Sequence, residues 1–281
     1  MCTAQARPPL PDRAMQNPGG MHGGLSDIVA IEHAGFAALP PEHSIEDGPW
    51  VLRMAGGLAK RANSANPRAP GALLDADRLN RIEAFYRRAG FPAIVRVTPL
   101  ASPEADALLE ARGYRITDRS LVMTAQLAPA GPAVLPDGIT VSIDTAIPEP
   151  WHDAFAQFDG LNARGHATRR TMLDALDRPH AAITLREADG TTLGIGLAVA
   201  DGAYVGLFDV RVASAARGRG LGRAVTDAML GWARTQGTVG TPVTAYLQVS
   251  AENVPALSLY RSLSFVEAYA YHYRVGPTQP A

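Results

Sequence analysis

The stretch Arg-Gly-Arg-Gly-Leu-Gly at residues 217–222 lies between a strand pattern and a helix pattern, and it decides how the chain is interpreted. An apolar run over residues 203–212 precedes it, and apolar residues then recur at helical spacing from Leu221 to Trp232. The first N–H groups of a helix have no intrahelical partner, and the helix dipole adds partial positive charge. The glycines let a phosphate approach the backbone, and the arginines add charge. The stretch therefore predicts an anion-binding loop at a helix start.

Composition restricts the class of protein around this loop. The chain has 281 residues, with 26 basic and 27 acidic side chains and a net charge of −1, which argues against a nucleic-acid partner. Its 47% hydrophobic content is typical of a soluble globular protein, and neither a signal peptide nor a membrane-spanning run is recognisable. Cys2 is the only cysteine, so an internal disulfide and a thiolate zinc site are excluded. We expect a cytoplasmic protein that does not bind membranes.

Proline and glycine divide the chain into two halves. Residues 1–24 have no folding pattern and are interpreted as a disordered tail. The run Ala-Pro-Ala-Gly-Pro-Ala-Val-Leu-Pro at 128–136 predicts a linker, because it disfavours both helix and strand. A first domain is therefore expected over 25–127 and a second over 137–275, followed by a tail at 276–281. Helix and strand patterns mix in both, which indicates an α+β fold with a mixed sheet.

A weak internal repeat relates the two halves. Setting Leu109 opposite Tyr260 aligns a helix followed by a strand in each half. The same offset places Asn-Pro-Arg-Ala-Pro-Gly, residues 66–71, opposite the glycine loop. Prolines there remove N–H donors that an anion would need. Two related domains are predicted, of which the first lacks the anion site. A chance similarity between two α/β segments is the alternative.

The second half resembles the GNAT superfamily of N-acetyltransferases. Residues 217–222 match that family's R/Q-x-x-G-x-G/A pattern, and the segment from Leu247 to Phe265 is similar to its strand followed by N-x-x-A-x-x-L-Y. Ser264 departs from the glycine that usually precedes the phenylalanine. The whole chain resembles tandem GNAT proteins, with two GNAT-like domains, each a mostly antiparallel mixed sheet flanked by helices, of which the N-terminal one has lost its cofactor site.

The resemblance implies acetyl-CoA as co-substrate and assigns roles to individual residues. Tyr260 takes the place of the proton donor to the departing thiolate, although its helical stripe would also allow a core position. Backbone groups of the strand before the loop are implied to bind acetyl and pantetheine, and the loop to bind pyrophosphate. The implied cofactor-binding residues are Val210, Val212, Arg217, Gly218, Arg219, Gly220, Leu221, Gly222, Arg223 and Asn253. Asn253 would also cap the last helix.

The general base is less clear in the sequence. Regular strand alternation would place Gly206 and Phe208 on the face of Val210 and turn Asp209 the other way, whereas a bulge would turn Asp209 inward. Asp209 is the candidate base or substrate anchor. A buried structural carboxylate is the alternative, and the base would then be a water, or the amine would arrive deprotonated.

Several other functions are weighed against acetyl transfer. The G-x-G-x-G spacing and the absence of an acidic residue after the next strand disfavour a dinucleotide site, and no Gly-Lys-Ser/Thr motif is present. A non-catalytic acyl-CoA-binding sensor remains an alternative. No histidine pair has metal-ligand spacing, so no metal is expected, and His152 and His166 are expected at the surface.

The acceptor is expected to be an amine of a small molecule or a protein, and the first half is expected to shape its site. The basic stretch containing Lys60, Arg61 and Arg68 would attract an acidic acceptor or simply keep a loop in water. A homodimer is left open.

Overall fold

The computed structural model describes residues 24–128, 135–237 and 243–277. The predicted tail over 1–24 lies outside these ranges except for residue 24, as do most of the predicted linker over 128–136 and most of the predicted tail at 276–281. The described part of the chain contains seven α-helices and eleven strands, so the α+β fold class is confirmed.

The first half begins and ends with elements that reach into the second half. In chain order its elements are α1 (Leu25–Ala37), β1 (His43–Asp47), β2 (Trp50–Met54), a 3₁₀ turn (Lys60–Ala62), β3 (Ala65–Pro67), α2 (Ala76–Arg88), β4 (Ile94–Val97), α3 (Glu104–Ala111) and β5 (Arg115–Gln126). The amphipathic pattern of α2 buries Leu79, Ile82 and Tyr86, and Asp75 caps its start by accepting a hydrogen bond from the Arg78 N–H.

The second half follows the order expected from its sequence pattern. Its elements are β6 (Ile139–Asp144), α4 (Glu149–Asp159), α5 (Ala163–Asp174), β7 (His180–Glu187), β8 (Thr192–Asp201), β9 (Tyr204–Val212), a 3₁₀ turn (Ser214–Ala216), α6 (Leu221–Thr235), β10 (Thr244–Ser250), α7 (Val254–Ser262) and β11 (Val266–Val275). The predicted strand, glycine loop and helix are therefore β9, the loop and α6.

All eleven strands form one sheet, in the order β1-β2-β3-β4-β11-β5-β10-β9-β8-β7-β6. The last strand of each half is exchanged: β5 pairs with β10, β11 pairs with β4, and β5 and β11 run antiparallel beside each other. Among the strand pairs of the described residues, β3–β4 and β9–β10 are the parallel ones, one in each half, which agrees with the internal repeat. The repeat is thus visible in the topology, while the exchange joins the halves through backbone hydrogen bonds.

Helices cover both faces of the second half of the sheet. Helices α6 and α7 bury Val225, Met229 and Leu257 against one face. On the other face, α4 lies beside α1 of the first half, which contributes Ile28 and Ile31 to the same cluster as Trp151. At roughly 25 cal/mol per Å² of apolar surface, each of these buried side chains stabilises the fold by about 1.5–3 kcal/mol relative to exposure. The first half therefore supplies part of the core of the second.

No helix in the three described ranges is both long and apolar enough to cross a lipid bilayer.

Candidate active site

A cleft opens where two parallel strands separate. Strands β9 and β10 pair from Tyr204 with Thr244 to Leu207 with Leu247, and both continue beyond that point without pairing to each other. The resulting cleft has a volume of about 720 Å³. Its walls come from the end of β9, the end of β10, the glycine loop, α7 and the 3₁₀ turn of the first half. Unpaired strand edges expose backbone N–H and C=O groups that a ligand can engage.

A β-bulge lies in β9 at the mouth of this separation. Leu197 of β8 pairs with Phe208, and Ile195 pairs with Arg211, so β9 has one residue more than its neighbour. Asp209 occupies the bulge with φ = 54°. The predicted regular alternation is therefore wrong here: Val210 and Val212 contact the α6 side, whereas Phe208 belongs to the core on the α1 and α4 side. The extra residue places Asp209 on the Phe208 side.

Asp209 lies in a buried ion pair. Its Oδ2 accepts a hydrogen bond from the Arg169 guanidinium of α5, and the two side chains are 5% and 6% exposed. Burial lowers the pKa of Arg169, and the charge of Asp209 opposes that shift. Arg211 binds Asp159 at 2.5 Å on the same face. The Asp209 carboxylate therefore lies beside the cleft, fixed by its ion pair with Arg169 and close to other charged groups.

The glycine loop presents an uncapped helix start. Gly220 is the N-cap residue of α6, has φ = 76°, and offers no side chain to the first-turn N–H groups. The first N–H of α6 that bonds back to Gly220 is that of Ala224, so the three N–H groups before it have no helical acceptor. Apart from its chain neighbours and the backbone of α6, no described residue has an atom within 4 Å of where a Cβ on Gly220 would be, so the approach to the backbone is open. This geometry is suited to bind an anion.

The three arginines around the loop have different surroundings. Arg219 donates to Glu187 at 2.8 Å, and Arg223 pairs with Asp227 at 3.3 Å within α6. Arg217 lines the cleft and has no salt-bridge partner among the described residues. Of the three, Arg217 is the one that lines the cleft without a carboxylate partner among the described residues.

Two residues of the α7 segment line the cleft wall. The Asn253 side chain accepts a hydrogen bond from the Ala256 N–H at 3.2 Å, so the predicted helix cap is confirmed. Tyr260 is 8% exposed and packs beside Phe265 with ring centroids 5.9 Å apart. Its hydroxyl has no hydrogen-bond partner among the residues that the structure describes. Burial raises the pKa of the Tyr260 phenol, so it remains protonated at neutral pH.

Two residues outside the implied cofactor-binding set also line the cleft; the sequence named Arg61 only as part of a basic stretch and did not assign Gln248 to the site. Arg61, from the 3₁₀ turn of the first half, places its guanidinium carbon 5.4 Å from the centroid of the Phe208 ring. Gln248 of β10 also lines the cleft, and its Oε1 accepts from the Tyr271 hydroxyl at 2.8 Å. Both positions depend on long-range packing, which local sequence patterns do not encode.

His152 and His166 do not line the cleft. His152 is 2% exposed, so its expected surface position is wrong; it packs edge-on to Trp151, and burial lowers its pKa. The side chains of Glu149, Asp153 and His166 could meet around an ion, but both carboxylates are exposed at the surface, and exposed acidic groups are common without a metal.

The mixed sheet, the separated parallel strands and the uncapped helix after a glycine loop define an acyltransferase of the tandem GNAT type. The chain belongs to the family described as "Probable histone acetyltransferase Rv0428c C-terminal", whose model matches residues 25–274. It is 28% identical over 254 residues to the uncharacterized N-acetyltransferase YobR of Bacillus subtilis, which covers 89% of this chain and 99% of that one.

Solved structures support the same fold. A GCN5-related N-acetyltransferase from Kribbella flavida matches with a TM-score of 0.64 and 18% identity, covering 91% of this chain and 96% of that one. A tandem GNAT protein from the clavulanic acid biosynthesis pathway matches with a TM-score of 0.63 and 16% identity, covering 89% and 88%. The predicted family and fold are confirmed.

Proposed function

We propose that this acetyltransferase transfers an acetyl group from acetyl-CoA to an amine, using the cleft of the second half. The observation that carries the proposal is the separation of β9 and β10, which opens the sheet between the uncapped start of α6 and the Tyr260 ring. A long, thin donor with phosphate at one end and a reactive thioester at the other fits such a channel.

The donor is bound largely by backbone groups. The N–H groups of Leu221, Gly222 and Arg223 have no helical acceptor and bind the pyrophosphate, with Arg217 adding a charge-assisted hydrogen bond. Unpaired backbone groups of Val210 and Val212 receive the acetyl and pantetheine portions. Asn253 holds the start of α7 against the cleft. Gly218 and Gly220 keep the loop open, and Arg219 and Arg223 contribute to the positive potential.

The transfer step places the amine and the thiolate on opposite sides of the carbonyl. The nitrogen lone pair forms the C–N bond, the C–S bond breaks, and the nitrogen's proton is lost to water while the sulfur leaves as thiolate. Tyr260 donates a hydrogen bond to the departing sulfur. The Asp209 oxygen not used by Arg169 accepts a hydrogen bond from the amine, so Asp209 acts as substrate anchor. The amine reacts as its free base.

The first half is proposed to bind no acetyl-CoA and to shape the acceptor side. The N-cap of its helix α2 is Asp75, whose carboxylate already accepts the Arg78 N–H, so a negative charge occupies the position where the second half offers free N–H groups. Helix α1 packs on the acceptor face of the second half, and Arg61 lines the cleft. These contacts support a division of roles, in which the second half binds acetyl-CoA and the first half shapes the acceptor site.

Calorimetric titration with acetyl-CoA tests this division. We expect one site per chain, and Arg217→Gln should weaken binding because it removes the cation directed to the phosphates. Two sites of similar affinity would contradict the proposed loss of the site in the first half. Tight binding with no acetyl transfer to any amine would favour the alternative of an acyl-CoA sensor.

A further inference from the structure

The basic stretch of the first half contains three cations, and the structure distinguishes them. Lys60 pairs with Asp118, and Arg68 pairs with Glu46, both at exposed positions. Arg61 has no salt-bridge partner among the described residues, although it is the one of the three that lines the cleft. A charge inside a concave site without a carboxylate partner is available to an anionic ligand.

The charge balance around Arg61 leaves positive charge in excess. The nearby carboxylates are already used, because Asp209 binds Arg169 and Asp159 binds Arg211. Arg53 is 2% exposed, and within the described ranges its guanidinium donates only to backbone carbonyls, those of Phe36, Leu39 and Arg61. Burial, followed by the positive charges of Arg96 and Arg61, lowers the pKa of Arg53 to about 10. An anion beside Arg61 would relieve this repulsion.

Arg61 lies on the acceptor side of the cleft. Its guanidinium is over the ring of Phe208, which faces α1 and α4, whereas the glycine loop, Val212 and Tyr260 belong to the α6 and α7 side. A group bound by Arg61 therefore lies toward the opposite face of the opened sheet from the site assigned to the donor phosphates, within the same cleft. Phe208 directly precedes Asp209, so the bound group is also close to the point of transfer.

We propose that the acceptor carries an anionic group, a carboxylate or phosphate, a short linker away from its amine, and that Arg61 binds this group. The inference rests on the proposed function, since it assigns the acceptor of that same cleft. Asp209 accepts from the amine while Arg61 binds the anion, and the two side chains together fix the acceptor at both ends.

Matched acceptors test the inference by initial rates of CoA release. Glycine, β-alanine and 4-aminobutyrate are each compared with their carboxamides, and O-phosphoethanolamine with ethanolamine, per unit of free-base amine. The wild type should prefer at least one anionic acceptor by about tenfold or more in kcat/KM, which corresponds to about 1.4 kcal/mol. The preferred pair also shows whether the anionic group of the acceptor is a carboxylate or a phosphate, and how long the linker to its amine is.

Variants at neighbouring positions separate a specific contact from general charge. Arg61→Gln should raise KM for the preferred anionic acceptor by about tenfold and leave its neutral partner and the Kd of acetyl-CoA unchanged. Arg61→Lys should retain part of the preference. Lys60→Gln removes a charge from the same turn and should change neither the KM of the anionic acceptor nor the Kd of acetyl-CoA, because Lys60 pairs with Asp118. A loss of acetyl-CoA affinity in Arg61→Gln would overturn the inference.

A binding measurement covers acceptors that are not turned over. N-acetylglycine and N-acetylglycinamide, with N-acetyl derivatives of the other pairs, are titrated into the CoA-saturated protein by calorimetry. The inference is supported if an anionic product binds the wild type and binds Arg61→Gln more weakly. It is overturned if every anionic product binds the two proteins equally or binds neither. Absence of acetyl-CoA binding would instead overturn the proposed function itself, so the two failures are distinguishable.

Discussion

Asp209 combines an unusual backbone conformation with a buried charge. A non-glycine residue at φ = 54° stores a modest strain, which persists only where the surroundings hold it. Here the bulge in β9 supplies the conformation, and Arg169 supplies the counter-charge. A strained backbone and a buried ion pair in one residue at the mouth of a cleft are consistent with the proposed role of Asp209 as substrate anchor.

Asp209→Ala should lower the free energy of unfolding by about 3 kcal/mol, because it leaves the buried Arg169 without a counter-charge. Urea denaturation followed by circular dichroism measures this. Arg170→Ala is the matched control, because Arg170 lies next to Arg169 on α5 and forms exposed pairs with Glu149 and Asp174. This substitution should lower the free energy of unfolding by under about 1 kcal/mol. Equal effects of the two variants would show that the buried pair has no special role.

At the scale of single elements, the start of α6 is the part most directly tied to the donor. Gly220→Ala should weaken acetyl-CoA binding about tenfold, because φ = 76° disfavours a residue with a Cβ and the loop must shift. Isothermal titration provides the affinity. Gly231→Ala lies within the same helix with open space around its Cβ, and we expect unchanged affinity with up to about 1 kcal/mol of added stability.

Helix α3 is tied to the exchanged strand β11 by a carboxylate. Hydrogen bonds from Arg274, and then from His272, lower the pKa of Asp106 from its ordinary value to about 2. A lowered folded-state pKa means that the contact stabilises the protein fully above about pH 4 and is lost as pH falls through about 2. The stability difference between wild type and Asp106→Asn should therefore shrink over that window.

Acid titration of both proteins, with unfolding free energies at each pH, measures this difference. Glu252→Gln is a suitable control because Glu252 is exposed and forms no salt bridge among the described residues. The difference in unfolding free energy between wild type and this variant should therefore stay near zero at every pH. A wild-type advantage over Asp106→Asn that grows on acidification would contradict the assignment.

At the scale of the whole molecule, the exchange of β5 and β11 makes the halves interdependent. Neither half has its full sheet without a strand from the other. We expect hydrogen exchange in β2 and in β8 to share one denaturant midpoint, because losing β11 exposes β4 and β5 together. Two separate midpoints would show that the halves fold independently despite the shared sheet.

The sequence predicted those features that depend on local pattern. Glycine spacing after an apolar strand identified the loop, and the Asn253 cap and the helix bearing Tyr260 followed from short-range rules. The family resemblance supplied the fold. Cytoplasmic location and a homodimer stay predictions.

The features that the sequence did not predict depend on contacts between distant residues. A strand exchange leaves each strand's pattern unchanged, since β11 alternates equally well beside β5 and β4. The bulge at Asp209 depends on a count against β8, and Arg61 reaches the cleft only because the halves pack together. The first half therefore contributes to the site at positions that carry no motif.

Acetyl transfer by the Tyr260→Phe variant is the most direct test of the account. The substitution removes one oxygen from a side chain whose ring stays packed beside Phe265, so acetyl-CoA affinity should be unchanged. CoA release with the best amine acceptor should fall about 100-fold, because the departing thiolate loses its hydrogen-bond donor. Unchanged turnover at unchanged affinity would contradict the assignment of this cleft as the site of transfer through Tyr260.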